Sequence, residues 1–183
     1  MRKAATVLIL LITLGLLSCD RPQSVSTPAP TVVLIVRHGE KEAQGGNDPN
    51  LSDAGARRAQ ALIDVAGDAG VNAIYSTQYK RGYQTAQPLS ERFHIPVTEV
   101  PVTLDNPGDY GAALAKEILT RHTGQTVLVV SHTNIIPSLI KALSQKQIPE
   151  IPDPEYDHLY IVIVPKEGPA RLVKARYGAA SGE

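Results

Sequence analysis

The chain is short of the residues that build covalent or stacking frameworks. In 183 residues it has one cysteine, no tryptophan and one phenylalanine. A single cysteine excludes any disulfide within the chain. Aromatic residues are 4% of the total, too few for a platform on which nucleic-acid bases stack. Neither sign of charge is in excess, with 18 Lys+Arg against 18 Asp+Glu, so the basic footprint of a nucleic-acid binder is missing as well. There is no HExxH pattern, no cysteine cluster and no internal repeat. The longest apolar stretch, Ala4–Leu17, is too short for a comfortable membrane span. The total length suits one domain with a sizeable core.

That apolar stretch fits a different purpose. Arg2 and Lys3 precede it as a positive n-region, and it has the length of a secretory h-region. It ends in Leu16-Leu17-Ser18-Cys19, which resembles a bacterial lipobox. The resemblance implies cleavage before Cys19 and lipidation of that cysteine. The other readings are an ordinary signal peptide with a chance cysteine, or an uncleaved anchor. Asp20–Pro30 is polar and proline-rich with no periodicity, as in a flexible tether. The expected layout is therefore a signal peptide over 1–18, a lipidated cysteine and linker over 19–30, and a catalytic domain over 31–183. Such a protein is exported and held on a bacterial membrane by its lipid.

From Thr31 onward, short apolar runs alternate with helical patterns. Strands are expected at Thr31–Val36, Asn72–Ser76, Ile95–Val100 and Thr126–Val130, and then at Asp157–Pro165 and Ala170–Tyr177. Helices are expected from Ser52 to about Gly67, over Lys80–Phe93, from Asn106 to about His122, and over Ile135–Leu143. Pro88 marks a kink or irregularity in the second helix. This alternation predicts an α/β fold, a mostly parallel sheet with helices on both faces. The last two strands, joined at Lys166-Glu167-Gly168-Pro169, add an antiparallel C-terminal edge.

Chemistry concentrates at strand ends. Arg37-His38-Gly39-Glu40 follows the first strand, and Ser131-His132-Thr133-Asn134 closes the fourth. In open α/β sheets, ligands bind at the carboxyl ends of the strands. Gly39 lets the backbone turn sharply and approach a ligand closely. A third segment, Ser76 to Ala86, carries Arg81 into the first turn of a helix, where free N–H groups and the dipole favour anions. Thr85, one turn later, packs or orients the arginine. Two arginines and two histidines around one point suit a phosphoryl group, and one histidine can act as a nucleophile. His94, His122 and His158 lack such company and read as surface or turn residues. Asn134 reads as a substrate contact or, by preference, as a cap for the helix beginning near Ile135, and Tyr156, Asp157 and Tyr160 read as packing residues.

The ordered pieces Arg37-His38-Gly39, Ser76…Arg81…Thr85-Ala86 and Ser131-His132, with the Leu51-Ser52-Asp53-Ala54-Gly55 helix start, resemble the histidine phosphatase superfamily, the phosphoglycerate-mutase-like proteins. The resemblance runs over nearly all of Thr31–Tyr177. It implies a three-layer α/β/α fold, with His38 as the phosphorylated nucleophile and Arg37, Arg81 and His132 as phosphate ligands. A metal site could be built from His38, Glu40 and His132, but two adjacent arginines would repel a cation, so no metal and no cofactor are expected. The proton donor of the larger members has no clear match. The candidates are Asp105, Asp109, Glu99 and Glu40, of which Asp105, in a strand-to-helix loop, is preferred. The expected activity is that of a phosphoric monoester hydrolase acting on small phosphorylated substrates. A phosphotransferase on the same scaffold and a non-catalytic lipoprotein that binds phosphorylated ligands are the alternatives.

Overall fold

A computed structural model describes residues 28–102 and 107–181. Four helices and six strands follow in the order β1 (Thr31–Arg37), α1 (Asp53–Ala66), β2 (Val71–Ser76), α2 (Lys80–Phe93), β3 (Val97–Glu99), α3 (Pro107–Arg121), β4 (Thr126–Ser131), α4 (Ile136–Ser144), β5 (His158–Val164) and β6 (Arg171–Arg176). One 3-10 turn, Gly67–Ala69, links α1 to β2. Among the described residues, no helix is long and apolar enough to cross a membrane.

The sheet order is β3-β2-β4-β1-β5-β6. The pairs β1–β4, β2–β4 and β2–β3 are parallel, and β1–β5 and β5–β6 are antiparallel. The expected antiparallel hairpin is present, but it does more than finish an edge. It pairs along the full length of β1 and makes that strand central. The expected strand at Ile95–Val100 is only three residues long, Val97–Glu99, because it is an edge strand with one neighbour and two exposed residues.

Alternation in the strands sorts side chains between two cores. Leu34, Val36, Ile74, Leu128 and Val130 pack with Leu62 and Ala66 of α1 and Ala86 and Leu89 of α2. Val33, Ile35, Tyr75, Val127 and Val129 pack with Leu114 and Ile118 of α3 and Ile136, Leu139 and Ile140 of α4. The apolar runs of β1 and β4 are continuous rather than alternating because both faces are covered by helices. The result is the expected three-layer α/β/α arrangement.

Helix ends follow local chemistry. Ser52 caps α1 by accepting from the Gly55 N–H at 3.3 Å. Pro88 lies within α2 without ending it. His94 closes that helix in the left-handed region (φ 56°), consistent with its reading as a turn residue. Asn134 does not cap α4: the N-cap position is Ile135, with no side-chain cap bond.

Candidate active site

The register of β1 on β4 sets the site. Arg37 lies opposite Ser131, and the ladder continues one step as the His38 N–H donates to the Ser131 carbonyl at 3.0 Å. His38 and His132 therefore leave adjacent strand ends together. Their rings meet edge to face, with centroids 5.1 Å apart, and they are only 4% and 5% exposed. Arg37, Arg81, Lys41, Thr133, Asn134, Asp153 and Tyr156 complete the lining of a pocket of about 330 Å³. The four residues expected to bind and attack phosphorus thus share one concavity.

Hydrogen bonds fix the His38 ring. Nδ1 lies 2.8 Å from the Gly39 carbonyl, which only accepts, so Nδ1 carries the proton and Nε2 keeps a free lone pair. Burial, with the nearby His132, Arg37 and Arg81, lowers the pKa of His38 to about 2, against the opposing pull of its Gly39 bond. His132 is likewise lowered to about 3, first by burial and then by Arg81 and Arg37. Its Nε2 lies 2.8 Å from the Thr77 hydroxyl. Both imidazoles are neutral at pH 7.

The two arginines are held differently. Arg37 Nη1 donates to three carbonyls of one loop: Asp153 at 2.6 Å, Glu155 at 3.2 Å and Pro152 at 3.3 Å. Its guanidinium lies 4.0 Å from the centre of the Tyr156 ring. Arg81 lies 4.4 Å from the Tyr79 ring centre and 3.8 Å from an Asp48 carboxylate oxygen. The buried Nε–H of each has no protein partner among the described residues. Buried donors are normally paired, so two unpaired ones on arginines that line the same pocket fit an anion that accepts from both.

The loop after His38 is held by backbone contacts. The Gly39 N–H donates to Thr85 Oγ1 at 2.8 Å, and that hydroxyl donates to the Arg81 carbonyl at 2.7 Å. Thr85 thus ties the loop after His38 to the arginine's helix, where the sequence suggested packing or orientation. Gly39 also has a backbone neighbour that the sequence did not announce. A Cβ there would lie 2.9 Å from the Gly55 carbonyl oxygen, and a Cβ on Gly55 would lie 2.1 Å from the Glu40 carbonyl oxygen. Two backbones touch at this point, which accounts for both glycines.

The acid candidates fare unequally. Glu40 turns away from the pocket to Arg58, with contacts from Arg58 Nε at 3.0 and 3.1 Å and from Nη2 at 2.7 Å. Despite some burial, this partner holds its carboxyl below the ordinary range. Glu99 is exposed on the edge strand β3, and Asp109 is exposed in the first turn of α3. Asp105 lies outside the described residues, as does Cys19. Tyr156 and Asp153 were missed as pocket residues because they come from the loop before β5. Nothing in their local pattern announces that Arg37 reaches that loop. Asn134 lines the pocket too, contrary to the capping role expected for it. His122 and His158 do stand elsewhere, beside Tyr75 and Glu155. Among the described residues, no three His, Cys, Asp or Glu side chains gather as a metal cluster.

Comparison with known proteins gives a consistent result. Residues 33–102 match the family model of the histidine phosphatase superfamily (branch 1). An uncharacterized phosphatase, PhoE, from Bacillus subtilis is 32% identical over 45% of this chain and 45% of its own length. Phosphoserine phosphatase 1 from Hydrogenobacter thermophilus is 28% identical over 55% of this chain and 70% of its own. The match to PhoE thus spans less than half of that relative. Among solved structures, the protein histidine phosphatase SixA complexed with tungstate superposes with a TM-score of 0.64 at 16% identity, covering 79% of this chain and 96% of that one. A mycobacterial glucosyl-3-phosphoglycerate phosphatase gives 0.62 at 18% identity, covering 80% and 99%. At these identities the superpositions show a shared fold.

Proposed function

Because residues 33–102 match the model of the histidine phosphatase superfamily, whose members include phosphatases and mutases, we propose that this chain is a metal-independent phosphatase that forms a phosphohistidine on His38. The observation that carries this reading is the neutral His38 ring. Its Nδ1–H is bound to Gly39, and it shares a pocket with two arginines whose Nε–H groups are unpaired. A nucleophile for phosphorus needs a lone pair in place before substrate arrives, and Nε2 has one at neutral pH.

In this mechanism a phosphomonoester places its phosphoryl oxygens against Arg37, Arg81 and His132. His38 Nε2 attacks phosphorus, the N–P bond forms and the P–O bond to the leaving group breaks. The guanidinium groups take up charge on the equatorial oxygens, so the protein supplies charge that other phosphatases take from a metal. Water then attacks the phosphohistidine, the N–P bond breaks and inorganic phosphate leaves.

The test is phosphate release from aryl, sugar, acyl and histidine phosphates in the presence of chelator. The expected result is release by the wild-type protein and none by His38→Ala, with an acid-labile, base-stable phosphoryl group on the wild type. Tungstate is expected to compete with substrate. Phosphoryl transfer to an acceptor alcohol without net release would replace the phosphatase reading with a mutase.

We infer from Leu16-Leu17-Ser18-Cys19 that the domain is exported and lipid-anchored. A lipid at Cys19 leads by way of Pro28–Pro30 to the amino end of β1, whereas the pocket opens at the carboxyl end of that strand. Incorporation of labelled palmitate, lost in Cys19→Ala, is the expected outcome. Release of an unlabelled protein would overturn the anchor.

A further inference from the structure

The reaction proposed above leaves one step without a described residue, since Asp105 lies outside them. When the P–O bond breaks, an alkyl leaving oxygen needs a proton, and water attack on the phosphohistidine later needs a base. Glu40 is occupied by Arg58, and Glu99 and Asp109 are absent from the pocket lining.

One carboxyl is on that lining. Among the described residues, Asp153 is the only Asp or Glu among the pocket's walls. Resting on the phosphatase reading, we propose that Asp153 is the general acid for the leaving group and the general base for the attacking water. Three observations place it there. Its backbone carbonyl is gripped by Arg37 Nη1 at 2.6 Å, so the arginine that would bind the phosphoryl group also locates the loop. Its carboxylate lies 3.6 Å from Arg37 Nη2 and is 97% exposed, at the rim of a pocket whose floor holds the buried His38. In-line attack from the floor directs the leaving oxygen toward the rim. Finally, a second cavity, of about 370 Å³, shares Thr133, Asn134 and Asp153 with the first and continues along Glu150, Ile151 and Pro152. This is room for the leaving group, with Asp153 at the junction.

The proton balance closes. The cycle starts with one proton on the Asp153 carboxyl, taken from solvent. His38 Nε2 bonds to phosphorus as the leaving oxygen takes the Asp153 proton, and the alcohol departs into the second cavity. The Asp153 carboxylate then takes a proton from water as that oxygen attacks phosphorus and the N–P bond breaks. Phosphate leaves and Asp153 is again protonated.

The full-length protein and Asp153→Asn are compared on two substrates, 4-nitrophenyl phosphate and an alkyl phosphate such as glycerol 1-phosphate. The readout is kcat/KM, which reports the steps through departure of the leaving group. A nitrophenolate leaves without a proton, and an alkoxide does not. The expected loss is larger for the alkyl phosphate by about 100-fold or more, within the range that general acids contribute. Asp153→Asn is also expected to accumulate phosphohistidine with 4-nitrophenyl phosphate, and Asp153→Glu to recover part of the alkyl activity. Equal losses on both substrates, or the selective loss appearing in Asp105→Asn or Lys41→Met instead, would overturn the assignment. Absence of release from either substrate by wild type would overturn the phosphatase reading itself, and with it the acid.

Discussion

Two arginine centres draw on the same tetrapeptide and are built in opposite ways. Arg58 has all its donors engaged: Nε and Nη2 with Glu40, Nη1 with the Tyr177 carbonyl, and Nη2 with the Ala179 carbonyl and Ser181 Oγ. Its pKa is raised because Glu40 more than offsets burial. Arg37 and Arg81 are lowered instead, chiefly by burial, and each keeps one buried donor unpaired. A buried charge with a full set of partners stabilises a fold, and one with a donor left open is poised for a ligand. The tetrapeptide Arg37-His38-Gly39-Glu40 contributes to both centres. Its first two residues enter the pocket, and its last anchors the loop behind them.

The sharpest break of this contrast is at His38. His38→Ala is expected to lower kcat/KM by about 10⁴-fold or more while the fold persists, checked by phosphate release and by thermal melting. The arginines come next. Arg81→Met is expected to cost about 100-fold or more in kcat/KM, with loss of tungstate binding and little change in melting temperature. Arg58→Met reverses that pattern. It leaves the Glu40 carboxylate without its partner and is expected to lower stability by about 2–3 kcal/mol, measured by urea unfolding. This figure is below that for a fully buried pair because Glu40 is 23% exposed. If Arg58→Met instead abolished turnover at full stability, the division between a structural and a functional arginine would fail.

A smaller effect separates the centres by pH. The folded-state pKa values of His38 and His132 are about 2 and about 3, far below the ordinary 6.5. Below pH 6.5 the unfolded chain binds protons that the folded pocket refuses, so stability falls with pH from there toward 3. Each histidine contributes a slope of up to about 1.4 kcal/mol per pH unit. Above pH 6.5 the two add no pH dependence. His132→Gln is expected to remove about half of this slope, read from unfolding curves between pH 4 and 7. An unchanged slope would mean that the pair is not held neutral by burial. The smallest effect is that of Tyr156→Leu. It removes the ring beside Arg37 and is expected to raise KM several-fold with a lesser change in kcat, because a cation–π contact of this kind contributes about 1 kcal/mol.

The elements whose limits the sequence marked well are those with local signals. Helix α2 runs over the expected Lys80–Phe93, and Ser52 caps α1 as its position before Asp53 suggested. Strand β3 was shortened by a neighbour that its own residues do not record. The pocket was legible in the same uneven way. His38, His132, Arg37 and Arg81 announce themselves by standing at strand ends beside helix starts. Asp153 and Tyr156 do not, because their places depend on a loop that Arg37 holds from more than a hundred residues away.

The order of apolar runs and helical periods by itself determined a layered α/β domain, since an amphipathic helix and a two-faced strand have few ways to bury both. The two histidines at strand ends determined that the candidate site lies at the carboxyl edge. Only the tertiary structure decided that Glu40 belongs to Arg58, that Gly39 and Gly55 exist to let two backbones touch, and that Asp153 stands at the pocket rim. Each of these is a long-range contact set by register and packing. Local sequence constrains the conformation of a segment but not which distant segment lies against it.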